Sequence, residues 1–298
     1  MSPSVSRKIL RRLIATGAQA GVTGSVGRWI GREGAWRMNC GARVILDNPA
    51  EYIQSQILEH GEYEPNIVEL LLAALGPNRL FVDVGGNIGC HTLVASSTGA
   101  HVQAFEPVPR LGDRLLANVR LNGWQDRVRL FRGAVGAHVG NVIVNVALRA
   151  DDGSHSIIAG VEARSVEQIE VPLTTLDSHL LANEGHPIVA VKVDVEGYEA
   201  RVLDGACKLI ASAHPPLWII ETGDRLADQI GESARSAIDR LAAGGYEFLQ
   251  VPERGAVRWV TPGEVTGELA NYCCIHPASL SRDAVFAAAK RLGANLSC

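Results

Sequence analysis

The stretch Phe81-Val82-Asp83-Val84-Gly85-Gly86-Asn87-Ile88-Gly89-Cys90 decides how the rest of the chain is read. An apolar run of strand type reaches Asp83, enters a tight glycine turn and passes straight into a helix-forming segment. A junction of this kind aims backbone N–H groups and a helix N-terminus at a ligand. Gly85 permits the turn, Gly86 follows it, and Gly89 lets the next helix pack close to the strand. A dinucleotide fingerprint needs glycine where Asn87 stands, so that a pyrophosphate can approach the backbone. The Gly-x-Asn-x-Gly spacing argues against such a ligand and for a nucleoside without a pyrophosphate.

Outward from this turn, strand and helix patterns alternate. Strands are expected at 43–46, 79–84, 101–105, 128–131, 188–193, 217–220, 247–251 and 272–275, the last two partly antiparallel. An alternating Val/Ile segment at 141–147 suits an added hairpin. Helices are expected at 51–60, 66–75, 88–97, 110–122, 198–211 and 233–243. The pattern predicts an α/β fold, a doubly wound sheet of about seven strands with helices on both faces. Ligands of such sheets lie beyond the carboxyl ends of the strands, where the strand order reverses. Residues 1–50 are read as a basic N-terminal extension, 51–280 as the catalytic domain and 281–298 as a C-terminal helix or tail.

Glu106 ends the strand after the glycine turn, 21 residues beyond Gly85. A carboxylate there can accept hydrogen bonds from both ribose hydroxyls of a nucleoside. S-adenosylmethionine fits this setting, because its sulfonium is a cation and the strand ends are acidic. Asp83 is expected to meet its amino-acid end through a water or a backbone amide. Asn87 offers side-chain hydrogen bonds, and Gly133-Ala134-Val135 approaches the adenine plane.

A second cluster lies in Val191-Lys192-Val193-Asp194-Val195-Glu196-Gly197-Tyr198-Glu199. Strand alternation puts Lys192 and Asp194 on one face. Asp194, Glu196 and Glu221, at the end of the neighbouring strand, are expected to ring one small volume. Three carboxylates there raise one another's pKa and can make one a general base. The same oxygens could instead hold magnesium, an alternative left open; no metal is predicted. Glu199 is read as an acid complementing a helix dipole. His155, in a loop expected to overhang the strand ends, is a second candidate base.

With these residues placed, the chain resembles the FkbM family of S-adenosylmethionine-dependent methyltransferases. The resemblance rests on Glu62-Tyr63-Glu64-Pro65, on the turn at 82–89, on Phe105-Glu106-Pro107, on Asn118 and Asn122, on Thr175-Leu176-Asp177, on the 192–199 segment, on Gly205 and on Trp218-Ile219-Ile220-Glu221. It covers roughly residues 50–280 and implies a class I, Rossmann-like methyltransferase fold. It also implies methyl transfer, usually to a hydroxyl of a sugar, glycan or secondary metabolite. By this resemblance Tyr63 and Glu64 close over the methionine end of the cofactor. Gly86 stands where the family commonly has Ala. A non-catalytic nucleoside-binding protein of the same fold is the competing class, disfavoured because Gly85, Asn87 and Glu106 are intact.

The composition agrees with this class. With 298 residues, 47% of them hydrophobic and 20% charged, the chain is neither disordered nor collagenous. Net charge −4 and pI near 6.1 give no reason to expect a nucleic-acid partner. The charge is uneven: residues 1–37 hold seven basic residues and one acid, and the remainder holds 21 basic and 31 acidic. Ile9, Leu10, Leu13 and Ile14, interleaved with basic residues, read either as a packed or solvated arm or as a short helix for peripheral contact with an anionic membrane. Six scattered cysteines without metal or disulfide spacing suggest reduced thiols and a cytoplasmic protein. The sequence leaves the oligomeric state unassigned.

Overall fold

Apolar side chains on both faces of each central strand are the physical basis of the architecture, since such strands are stable only when both faces are covered. In the computed structural model, which describes residues 35–48, 51–147, 166–180 and 185–294, these strands occupy the middle of one large sheet. The described chain begins with a hairpin, β1 (Ala35–Arg37) and β2 (Arg43–Ile45), then α1 (Tyr52–His60) and α2 (Pro65–Ala74). The alternating core follows: β3 (Leu80–Val84), α3 (Cys90–Ser97), β4 (His101–Phe105), α4 (Pro109–Leu121) and β5 (Val128–Phe131). A small sheet interrupts it, built from β6 (Ala134–Val135), β7 (Gly140–Ala147) and β8 (Val166–Thr174), with α5 (Leu176–Leu180) after it.

The second half contains β9 (Ile188–Val193), α6 (Glu199–Asp204), α7 (Cys207–Ile210), β10 (Leu217–Thr222), α8 (Asp224–Ala227) and α9 (Ala234–Ala243). It ends with β11 (Glu247–Val251), β12 (Arg258–Val260), β13 (Ala270–Ile275) and α10 (Arg282–Arg291). Among the described residues the large sheet has eight strands in the order β12-β11-β13-β10-β9-β3-β4-β5. The five from β10 to β5 are parallel, and β13, β11 and β12 add antiparallel pairings. Chain order runs outward from β3 in one direction and from β9 in the other. The β3–β9 boundary is therefore the switch point, and a ligand is expected above it.

Two apolar cores flank the sheet. One face carries Phe81, Val102 and Ala104 against Leu93, Leu115 and Leu71; the other carries Val82, Val84, Val191, Trp218 and Ile220 against Val202 and Leu241. Each fully buried side chain of this kind stabilises the fold by about 1.5–3 kcal/mol. Helix α4 shows how the pattern arises. Pro109 opens its first turn, and Leu111, Leu115 and Val119 recur at helical spacing on its buried face. Gly123, with φ of 72°, follows its end. The amides of Asn118 and Asn122 point sideways, accepting from the Ile45 and Arg43 N–H groups at 2.8 and 2.7 Å. Asn118 also donates to the Ile88 carbonyl at 2.8 Å, fastening the glycine turn to α4.

Several sequence expectations change. The sheet has eight strands rather than seven because the short β12 extends its antiparallel edge. The expected helix at 198–211 is two pieces, broken at Gly205-Ala206. A Cβ on Gly205 would lie 2.1 Å from the Gly136 carbonyl oxygen, so the small sheet presses on the chain there. Residues within the expected extension join the body, since Met38 and Val44 are buried in its core. Likewise α10 packs against α2 and buries Val285, Ala288 and Ala289. The basic residues before 35 and His155 lie outside the described residues. Among the described residues, no helix is long and apolar enough to cross a membrane.

Candidate active site

A cleft of about 300 Å³ opens above the β3–β9 switch point. The turn after β3 supplies one wall. Gly85 has φ of +85°, and a Cβ there would sit 1.9 Å from the Asp194 carbonyl oxygen, so only glycine lets the turns after β3 and β9 cross. Gly89 also has a left-handed backbone. A Cβ on Gly86 or Gly89 would come 3.0 Å from Leu115, so the close approach lies against α4, the second helix onward, rather than against the strand.

The amides of this turn are satisfied internally. Gly85 and Gly86 both donate to the Phe105 carbonyl at 3.0 Å, and Gly89 donates to the Gly86 carbonyl at 2.8 Å. Asn87 donates its N–H to Glu106 Oε2 at 2.8 Å, and Asn87 Oδ1 accepts from the Ile88 amide. The expectation that these N–H groups face a ligand is thus corrected. The physical consequence strengthens the exclusion of a pyrophosphate, which would need those donors.

Glu106 is the hub of this wall. Its carboxylate is buried at the end of β4, accepting from the Asn87 and Val108 amides at 2.8 and 2.9 Å. Burial raises its pKa to about 7 despite those two amides. It lines the cleft with Asn87, Gly133 and Ala134, and with an apolar wall that includes Val84, Phe105, Pro107, Leu111 and Val135. Asp83 does not reach the cleft. It is buried beneath the turn and accepts from Thr92 Oγ1 at 2.6 Å, because strand alternation turns it toward α3.

The opposite wall is ionic. Asp194, Glu196 and Glu221 all line the cleft, as the sequence led us to expect. Asp194 Oδ2 accepts from Lys192 Nζ at 2.7 Å, and the ammonium is buried. Burial pushes the Asp194 carboxyl up, but the neighbouring ammonium more than offsets it and holds Asp194 below the usual carboxylate range. The Asp194 charge, followed by burial, raises Glu221 to about 10, so Glu221 is the protonated partner in its hydrogen bond with Asp194. Burial, with the Asp194 charge, raises Glu196 to about 8. Glu199 stays out of the cleft, and its Oε1 accepts from the Val195 and Gly197 amides at the start of α6.

Tyr63 lines the cleft and meets Tyr52 edge to face, with ring centroids 6.2 Å apart. Glu64 does not line it. It is buried behind Lys192, donor-bound by Asn271 Nδ2 at 2.7 Å and 3.3 Å from His91 Nε2. Sequence reading placed Lys192 on the face of Asp194 without giving it a role, and missed His91 and Asn271 as members of this site. The one available signal was the basic residue inside an otherwise apolar strand. Among the described residues four non-glycine residues have left-handed backbones; Asn87 and Glu196 line this cleft, and Glu64 lies behind its ionic wall. Such conformations each cost about 1–3 kcal/mol and concentrate at functional sites. Among the described residues, no group of three or more His, Cys, Asp or Glu side chains is placed to hold a metal ion.

The comparisons with known proteins point the same way. The model of the methyltransferase FkbM domain matches residues 83–248, from the acid of β3 to the start of β11. A hexuronic acid methyltransferase, AglP of Haloferax volcanii, is 32% identical over 158 residues, which are 51% of this chain and 59% of that protein. The chain therefore spans under two thirds of that relative's length. Among solved structures, the methyltransferase FkbM of Methylobacillus flagellatus KT superposes with a TM-score of 0.43 at 16% identity, covering 68% of this chain and 47% of that one. The O-methyltransferase of Bacillus cereus, in complex with SAH, gives 0.38 at 13% identity, covering 70% and 78%. Both superpositions are loose, and the family match carries the assignment. That match spans more than half of the sequence and includes both walls of the cleft: the chain belongs to the FkbM methyltransferase family.

Proposed function

We propose that the cleft binds S-adenosylmethionine and that the protein transfers its methyl group to a hydroxyl oxygen, most directly of a sugar or glycan and otherwise of a hydroxylated metabolite. One observation carries this reading: a buried carboxylate on the β4 side, Glu106, and an ionised one on the β9 side, Asp194, face a single cleft at the switch point. The donor set fits the cofactor. Two strand-end carboxylates and a third in the turn suit a cationic sulfonium, and the apolar wall with Gly133 and Ala134 suits a purine face. The glycan class is supported by the relative in Haloferax volcanii, whose name gives a hexuronic acid as its substrate.

The bound cofactor supplies an electrophilic methyl group. Glu106 binds ribose hydroxyls through carboxylate lone pairs left over from its two amide bonds. Asp194 accepts the acceptor's proton, and its ionised state is already set by Lys192. Glu221, protonated, holds one Asp194 oxygen so that the other is directed at the cleft. Most of the acceleration comes from holding the two reactants aligned, a contribution of up to about 7–11 kcal/mol in well-oriented systems. No divalent cation is needed in this scheme, because the Asp194 charge is met by Lys192.

A labelled-methyl assay tests the reading against a panel of sugars, lipid-linked glycans and hydroxylated small molecules, run with and without a chelator. Transfer of label to an ether oxygen that survives chelation is expected. Transfer lost on chelation would restore the magnesium-assisted alternative, and label found on nitrogen or carbon would overturn O-methylation.

A further inference from the structure

Lys192 is the charged residue of the central strands that the scheme above uses without explaining. Its side chain is 3% exposed, on a strand whose other residues are all apolar. A buried, unpaired ammonium costs several kcal/mol, so something must repay its presence. Asp194 meets it at 2.7 Å on the cleft side. From behind, Glu64 Oε2 lies 3.8 Å from the same nitrogen. Asp83 is its register partner on β3, and Ile219 on β10.

Glu64 is placed there at a cost. It occupies the residue before α2, where an acidic side chain ordinarily caps the helix amides, yet it makes no capping bond. Its backbone is left-handed, with φ of 51°. The side chain is turned inward to Lys192, to Asn271 and to His91, whose burial keeps its imidazole neutral. A helix cap and a relaxed backbone are both forgone to put a carboxyl behind the ammonium.

We propose that Lys192 is a positioning residue for the transfer: a buried ammonium, braced from behind by Glu64, that keeps Asp194 ionised and aimed into the cleft. The inference rests on Asp194 as proton acceptor and adds what makes it one. The other groups facing Asp194 bring no positive charge. Glu221, protonated, donates a hydrogen bond that favours the Asp194 charge but carries none itself; Glu196 is a carboxyl, His91 is neutral, and Tyr63 is held protonated by burial. Lys192 is thus the single buried cation beside Asp194 among the described residues.

The test is a carbon NMR titration of protein labelled at the aspartate carboxyl carbons, with the Asp194 signal assigned by its loss in Asp194→Asn. In the wild type that signal should hold its ionised position to lower pH than an ordinary aspartate does. In Lys192→Met its midpoint should rise by about 2 pH units or more, and Lys192→Arg should return it toward the wild type. Glu64→Gln, which keeps the shape behind the ammonium, should leave the Asp194 titration near that of the wild type. An Asp194 titration in Lys192→Met that matches the wild type would overturn the proposal, as would equal shifts in Lys192→Met and Glu64→Gln, which mark a general packing defect. Calorimetry with S-adenosylmethionine on the same samples separates the two readings. Absence of binding to the wild type sinks the cofactor assignment whatever Asp194 does, whereas an unmoved Asp194 with intact binding sinks only the role of Lys192.

Discussion

The two walls of the cleft are built on different principles. The wall after β3 is a backbone structure: Gly85, Gly86, Asn87 and Gly89 spend their amides on Phe105, Glu106 and one another, and Glu106 is the carboxylate they present. The wall after β9 is a side-chain structure, in which Asp194, Glu196 and Glu221 crowd together over one buried ammonium. The first can be varied only by changing the path of the chain, and the second by changing charge. A rigid shape suits a cofactor that is the same in every turnover, whereas a tuned set of carboxylates suits the proton transfer.

By this division the largest effect on turnover should belong to the ionic wall. Asp194→Asn keeps the shape and removes the proposed proton acceptor, so kcat should fall by about 10²–10⁴-fold while cofactor affinity changes much less. Steady-state kinetics beside calorimetry check this, and a comparable loss in both quantities would erase the contrast between the walls. The backbone wall should answer a substitution through stability instead. Gly85→Ala forces a Cβ onto the Asp194 carbonyl and into a left-handed backbone, so it should destabilise the fold by about 2–4 kcal/mol, read from chemical denaturation.

A smaller effect links both walls. Glu106 and Glu196 have raised pKa values, about 7 and about 8, so each is largely protonated below those values. A cation binds the ionised forms, so affinity for S-adenosylmethionine should rise as pH increases through this window and level off above it. The gain should be about tenfold at most for each pH unit and each group. In the apo protein the sign is reversed. The raised pKa values favour folding fully below the unfolded value near 4.5, and that contribution is lost as pH rises through 7 to 8. Calorimetry in two buffers of different ionisation enthalpy should therefore show protons released on binding.

The backbone wall was the more legible from sequence. Glycine spacing, the acid 21 residues on and the strand patterns at 101–105, 128–131, 188–193 and 247–251 carry local information, and those four strands have the bounds their residues suggest. What escaped depended on long-range approach. The break at Gly205 exists because Gly136 presses from another sheet, and β8 was not expected although it is the partner of the Val/Ile segment in β7. Asp83 reads from sequence as a strand-end ligand, but its hydrogen bond to Thr92 turns it away from the cleft. Glu64, Lys192 and Asn271 come from three distant elements, and no spacing rule joins them.

Calorimetric titration of wild type and Glu106→Gln with S-adenosylmethionine tests the proposed hold of Glu106 on the cofactor's ribose. Gln keeps the size and an acceptor for one of the two backbone amides, turns its NH2 toward the other, and loses the charged acceptor. Affinity for S-adenosylmethionine should fall by about 10- to 100-fold, as expected for hydrogen bonds to a charged group, with the folded state intact by circular dichroism. Equal affinity in the two proteins would contradict it.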